Sequence, residues 1–364
     1  MEYHLKNILN QKKLMLNLSK LVIIYFLIFI NTQITYAQFE KDELNYQIYS
    51  INLPSKIDFA GEKTPIQKHD IIERLDKELL INTYWQSKTI LLIKRSKKYF
   101  PIIEKILKEN NIPDDFKYLA VAESGLEKVT SPSGAKGYWQ FLEKTGKEFN
   151  LEINNKIDER YHLEKSTQAA CEYFKKAYEV FNNWTLVAAA YNMGISGLKN
   201  KIQEQKVNSY YDLMLNSETY RYIFRILAIK EIIQNYKDYG FSIEDKDLYQ
   251  MPKTKNLIID SAIINITDFA LSKKLNYKII KLFNPWILGN SIPNTNQKKY
   301  YIKIPENKYL FSSTQDTIIY TCSPRDNIFE ISRKYNVDIS NIIEWNNILP
   351  SQKLKKNQKI IILK

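Results

Sequence analysis

Cysteine and histidine are nearly absent from this sequence: 364 residues hold 2 cysteines and 3 histidines. Cys171 and Cys322 lie far apart, so no disulfide framework is expected. Cys171, in the helical pattern AACEYF, reads as a small buried thiol. His4, His69 and His162 are isolated and no metal-ligand spacing exists, so neither a metal site nor a cofactor is expected. A membrane-length apolar run is also missing, since LVIIYFLIFI (Leu21 to Ile30) is too short for a comfortable span. Positive charge is plentiful, at a net +13, but it is spread as lysine along the chain rather than gathered into one basic block. That pattern points to anionic surroundings such as acidic lipid or wall polymer, and away from nucleic acid.

With 26% charged and 44% hydrophobic residues, the chain is long enough for two or three domains with a proper core. Residues 1–37 have the form of an export signal. Lys6, Lys12, Lys13 and Lys20 precede the apolar run, and Thr35-Tyr36-Ala37 supplies a small-residue site with cleavage expected after Ala37. An uncleaved anchor, touching the membrane through this segment, is the alternative. No cysteine follows the run, so lipid attachment at a processed N-terminal cysteine is not expected.

Residues 38–94 form a lead-in, loosely structured to about residue 64 around Pro54, Gly61 and Pro65, and helical from about residue 66. There Ile71, Ile72, Leu75 and Leu79 fall at core spacing. Pro101 is expected to break this pattern before Ile102, Ile103, Ile106 and Leu107 resume it. The stretch PDDFKYLAVAESG, from Pro113 to Gly125, organises the middle of the chain. Phe116, Leu119, Ala120 and Glu123 lie on one helical face that is apolar until Glu123, and Gly125 ends the helix. A carboxyl at the end of a buried stripe is partly desolvated, which raises its pKa and suits it to donate a proton to a glycosidic oxygen. A glycine-containing loop from Thr130 to Gly137 leads into Tyr138-Trp139-Gln140-Phe141, whose aromatic faces would suit sugar rings or simply build core. Helices are expected over about 166–181, 184–192 and 218–239. The alanines of the second let another helix approach closely, and Tyr191 and Asn192 stand at its polar end.

In this order and spacing, Glu123-Ser124-Gly125, Ser131-Pro132-Ser133-Gly134-Ala135, Gly137-Tyr138-Trp139-Gln140-Phe141, Thr145-Gly146, Asp158-Glu159-Arg160, Ser166-Thr167, Ala169-Ala170, Ala190-Tyr191-Asn192-Met193-Gly194 and Glu218-Thr219-Tyr220 resemble the lytic transglycosylases of the goose-lysozyme-like superfamily, membrane-bound lytic murein transglycosylase D type. The family usually has Leu where Tyr138 stands. The resemblance implies a mainly α fold, with a lysozyme-like all-helical catalytic domain over residues 95–245. It implies Glu123 as the catalytic acid, and a substrate groove formed by Ser131, Ser133, Gln140, Tyr191, Asn192 and Glu218. By that similarity Tyr191 would hydrogen-bond close to Glu123. The partner would be peptidoglycan glycan strands, and the location periplasmic or otherwise at the cell envelope.

The tail, 318–364, flanks two helical patterns with short apolar strands and resembles a LysM module, a small βααβ unit that binds N-acetylglucosamine-containing glycans. The resemblance rests on Tyr320-Thr321, Asp326-Asn327-Ile328, Ile331, Tyr335, Trp345-Asn346 and Leu354. It implies glycan contacts at Ser323, Arg325, Asp326, Asn327, Ile348 and Leu349, although Arg325 stands where the family commonly has Gly. Upstream, Phe269 to Asn276 echoes Phe329 to Asn336, and Phe283-Asn284-Pro285 parallels Trp345-Asn346. These echoes predict a degenerate LysM-like unit over 256–305, binding sugar or acting as a spacer, joined to the tail by a linker over 306–317. Two rival readings are a muramidase that hydrolyses the same bond, with Glu143, Asp158 or Glu218 as its base, and an inactive peptidoglycan-binding protein.

Overall fold

A computed structural model describes residues 48–294, 298–306, 317–324, 326–346, 348–349 and 353–363, with 15, 18–20, 23, 25 and 26 near the N-terminus. The expected cleavage site at 35–37, most of the expected linker, and Arg325 lie outside the described residues. The chain divides after Ser50. In the first unit the described residues from Met15 to Phe26 are helical. No helix among the described residues is long and apolar enough to cross a membrane.

In the second unit, Ile71, Leu75 and Leu79 are fully buried along one side of α1 (His69–Tyr84). α2 (Gln86–Glu109) follows and runs unbroken through Pro101, against the expected break. Proline removes one intrahelical hydrogen bond. The buried stripe Leu92, Ile93, Phe100, Ile103 and Leu107 is nevertheless continuous across that point, so packing holds both halves in line. α3 (Phe116–Ser124) is short and ends at Gly125, whose φ of 61° is the left-handed conformation that glycine adopts without strain. Then come α4 (Glu143–Glu148), α5 (Leu163–Phe181), α6 (Trp184–Met193), α7 (Ile195–Gln205) and α8 (Ser217–Gln234). α6 begins where Asn183 accepts the Leu186 N–H at 2.8 Å. Its buried alanines, 188–190, let it lie between α5 and α8. α8 stops short of the expected residue 239, and the chain turns over 235–240 to Gly240.

The lead-in is not loose. Strands β1 (Asp58–Phe59) and β2 (Glu62–Lys63) form a hairpin that closes the helical core. Phe59 is fully buried with its ring 5.1 Å from that of Phe116. The Glu62 carboxylate accepts from the Trp184 N–H (2.6 Å), the Thr185 N–H (2.9 Å) and the Thr185 hydroxyl (2.6 Å), satisfying donors that the start of α6 leaves open.

Two βααβ units follow. The first pairs β3 (Thr254–Ile259) antiparallel with β4 (Tyr300–Pro305) around α9 (Ile266–Ser272) and α10 (Tyr277–Phe283). The second pairs β5 (Thr317–Thr321) with β6 (Lys359–Leu363) around α11 (Ile328–Tyr335) and α12 (Ile339–Asn346). The repeat seen in the sequence has a physical counterpart. Asn284 donates to the Ile280 and Lys303 carbonyls and accepts the Lys303 N–H. Asn346 makes the same three bonds, to the Ile342 carbonyl and in both directions to Ile361. One asparagine in each unit thus ties its second helix to the returning strand.

The first unit docks on the helical domain. The Asp158 N–H donates to the Trp286 carbonyl at 2.9 Å, Ile157 is buried in the unit's own core, and Lys298 pairs with Glu152 at 2.5 Å.

Candidate active site

Glu123 lies on the last turn of α3, one residue before the helix ends at Ser124. The stripe behind it, Phe116, Leu119 and Ala120, is fully buried, so its carboxyl sits at the rim of an apolar interior while part of the residue stays open. Tyr222, on α8, donates its hydroxyl to the Glu123 carboxyl. Burial pushes the Glu123 pKa up to about 7; Glu218 adds to the rise, and the Tyr222 hydrogen bond and Arg225 oppose it. Burial is the larger effect, so the group holds its proton close to neutral pH. It is poised to give a proton up and to take one back.

Tyr222 carries no motif that singles it out in the sequence. It stands four residues after Glu218, one turn along the same face of α8, and that spacing is the one signal that could have flagged it. Tyr191 instead gives its hydroxyl to the Trp139 carbonyl, at 2.7 Å. It still lies near enough that the Glu123 charge, after its own burial, raises its pKa. Asn192 donates to Glu218 at 3.3 Å and accepts the Thr219 hydroxyl at 2.7 Å, so these three residues form one corner beside the acid.

Within the loop the side chains bond to one another and to the backbone. The Ser131 and Ser133 hydroxyls lie 3.0 Å apart, and Ser131 also accepts the Ala135 N–H. Gln140, at a φ of 50°, turns its amide back to the Val129 and Gly137 carbonyls. Trp139, Tyr138 and Phe141 are core rather than open sugar faces, and the Trp139 indole N–H is bound by Thr167 at 2.9 Å.

Arg160 fastens this loop, donating to the Gly134 and Phe141 carbonyls while its other nitrogens grip Asp158. Asp158 is almost fully buried in that pair. At Gly137 a side chain would put Cβ 1.9 Å from the Arg160 carbonyl oxygen, so only glycine fits. Glu143, by contrast, is exposed and paired with Lys147 at 2.6 Å. A short hydrogen bond ties the end of α3 to the loop: the Ser124 hydroxyl donates to the Tyr138 carbonyl at 2.7 Å.

In the last βααβ unit, Asp326 accepts the Ser323 N–H (2.7 Å) and the Tyr320 hydroxyl (2.6 Å), and Asn327 caps α11 by accepting the Glu330 N–H at 2.9 Å. Ile348 is buried and Leu349 exposed beside it.

Comparison with known proteins agrees with this geometry. Residues 100–214 match the transglycosylase SLT domain, residues 255–308 the soluble lytic transglycosylase C-terminal LysM-like domain, and residues 320–363 the LysM domain. Over 334 residues the chain is 25% identical to the membrane-bound lytic murein transglycosylase D of Escherichia coli strain K12, covering 84% of this chain and 72% of that one. The counterpart from E. coli O6:H1 strain CFT073 matches to the same extent. The helical domain thus carries the match to the transglycosylase SLT domain, and each of the two βααβ units that follow it carries a match to a LysM-type domain.

Proposed function

We propose that this chain is a peptidoglycan lytic transglycosylase in which Glu123 acts first as acid and then as base. The observation that carries this is the elevated pKa of Glu123 beside the Tyr222 hydroxyl. The protonated carboxyl donates to the oxygen linking N-acetylmuramic acid to N-acetylglucosamine, and the C1–O bond breaks with oxocarbenium character at C1. The muramoyl C6 hydroxyl then attacks C1 and gives its proton to the Glu123 carboxylate. A 1,6-anhydro ring closes, the enzyme regains its starting protonation state, and no water is consumed. Because the nucleophile belongs to the substrate and is held next to C1, no second carboxylate is needed.

Two of the three carboxylates that a hydrolytic route would recruit are otherwise engaged. Asp158 is locked to Arg160 and Glu143 pairs with Lys147 on the surface, which supports the internal route. In this reading Ser131, Ser133, Gln140, Tyr191, Asn192 and Glu218 shape the groove, and the tail unit holds the wall through Ser323, Arg325, Asp326, Asn327, Ile348 and Leu349. Residues 1–37 direct export, and the enzyme works at the periplasmic side of the envelope, reaching the membrane through that segment if it is retained. The test is release of soluble fragments from purified sacculi. The native chain should release them and Glu123→Gln should not; equal release by the variant would remove Glu123 from the reaction.

A further inference from the structure

Tyr138 has two roles. Its carbonyl braces Ser124 beside Glu123, while its ring, 5.3 Å from that of Tyr99, helps wall a cavity of about 390 Å³ between the SLT domain and the 254–305 unit. That volume falls within the roughly 300–1,000 Å³ typical of small-molecule sites. The SLT side contributes Lys98, Tyr99, Lys128, Tyr138 and Tyr161, and the other side contributes Trp286 and Lys303. Glu123 is not among the residues that line the cavity, and two packed domains are needed to build it.

Its walls combine flat aromatic faces with cations. Trp286 is held in place by stacking on His162 and on Tyr300, at 5.7 and 5.8 Å between ring centres. Of the three lysines, Lys303 is neutralised by Glu164. Among the described residues, Lys98 and Lys128 have no carboxylate within 4.0 Å. Partial burial, and then the neighbouring Lys98, lower the Lys128 pKa, as expected for two ammonium groups that lie near one another. An anion between them would relieve that repulsion.

We propose that this cavity binds a carboxylate-bearing amino-sugar fragment of peptidoglycan, its ring against the half-buried Tyr99 and Tyr161 rings and its carboxylate between Lys98 and Lys128. The ligand class rests on the functional reading above. The same chemistry has two sources, an uncut glycan strand lying across both domains or a fragment already released.

The experiment uses the full chain carrying Glu123→Gln, so that the probes are not consumed, with and without Lys98→Gln and Lys128→Gln together. The probes are a soluble glycan strand with stem peptides, an anhydromuramoyl disaccharide-peptide, and an uncharged N-acetylglucosamine tetramer, each titrated calorimetrically. The lysine pair should weaken at least one carboxylate-bearing probe by about tenfold, the worth of a charge-assisted hydrogen bond, and leave the tetramer unchanged. An effect on the disaccharide-peptide identifies a released fragment as occupant, and an effect on the strand alone identifies the uncut strand. Unchanged binding of both charged probes, with the melting temperature of the lysine variant preserved, overturns the site; so does an equal loss of the tetramer. The reaction itself is judged separately, from cleavage by the chain with Glu123 intact. Failure there with the lysine-dependent binding present overturns the function and leaves the site standing.

Discussion

The burial of Glu123 has a thermodynamic consequence that can be measured without any substrate. Its pKa stands at about 7 in the folded chain against an ordinary 4.5. At about 1.4 kcal/mol per pH unit, that difference is worth about 3 kcal/mol. The sign follows from which state holds the proton. Between the two values the folded chain keeps a proton that the unfolded chain has released. Stability from this residue is therefore complete below the ordinary carboxylate range and is lost as the pH rises to about 7. Glu123→Gln removes the titration while keeping shape and an acceptor for the Tyr222 hydroxyl. Any packing difference of the amide is common to all pH values and drops out of a comparison between two of them. Urea unfolding followed by far-ultraviolet circular dichroism, which reports the helical domain, should be run on both chains at about pH 5 and about pH 8. The variant should gain on the native chain by up to about 3 kcal/mol between the two conditions. A gap that stays constant with pH would mean that Glu123 ionises freely when folded, and the argument for it as a proton donor would fail.

Tyr222→Phe should lower kcat/KM about tenfold, and it should move the alkaline fall of the pH–rate profile upward, because the lost hydroxyl stabilises the carboxylate. A lowered rate with an unmoved alkaline limb would contradict that role. Gly137→Ala drives a methyl group into the Arg160 carbonyl and should destabilise the helical domain by about 2 kcal/mol or more, seen as a lower melting temperature; an unchanged melting temperature would show that the loop gives way freely. Deleting residues 318–364 should reduce sedimentation with insoluble peptidoglycan while leaving cleavage of soluble fragments intact. Undiminished sedimentation would place wall binding elsewhere.

Much of this architecture can be read along the chain because its causes are local. The turn-by-turn spacing of Ile71, Leu75 and Leu79, the cap at Asn183 and the left-handed stop at Gly125 each depend on a few neighbouring residues. The repeat around Asn284 and Asn346 is legible as an echo of composition, and the structure adds its reason in three matching hydrogen bonds. The features that escape such a reading depend on partners far apart in sequence. Glu62 caps a helix more than a hundred residues later, so the segment before it looks like a tail until the fold closes. Pro101 signals a break by its own chemistry, yet the buried stripe around it prevails. Tyr222 meets Glu123 across 99 residues, a contact hinted at only by its one-turn spacing from Glu218. The left-handed backbone at Gln140, which turns its amide to the Val129 and Gly137 carbonyls, is likewise set by the folded loop.

The claim that the substrate supplies its own nucleophile is tested most directly by digesting sacculi in heavy-oxygen water and weighing the released muropeptides by mass spectrometry. Internal attack predicts muramoyl ends that are lighter by one water than reducing ends and carry no heavy oxygen. Reducing ends that have each gained one heavy oxygen would show that water, and not the C6 hydroxyl, completes the reaction.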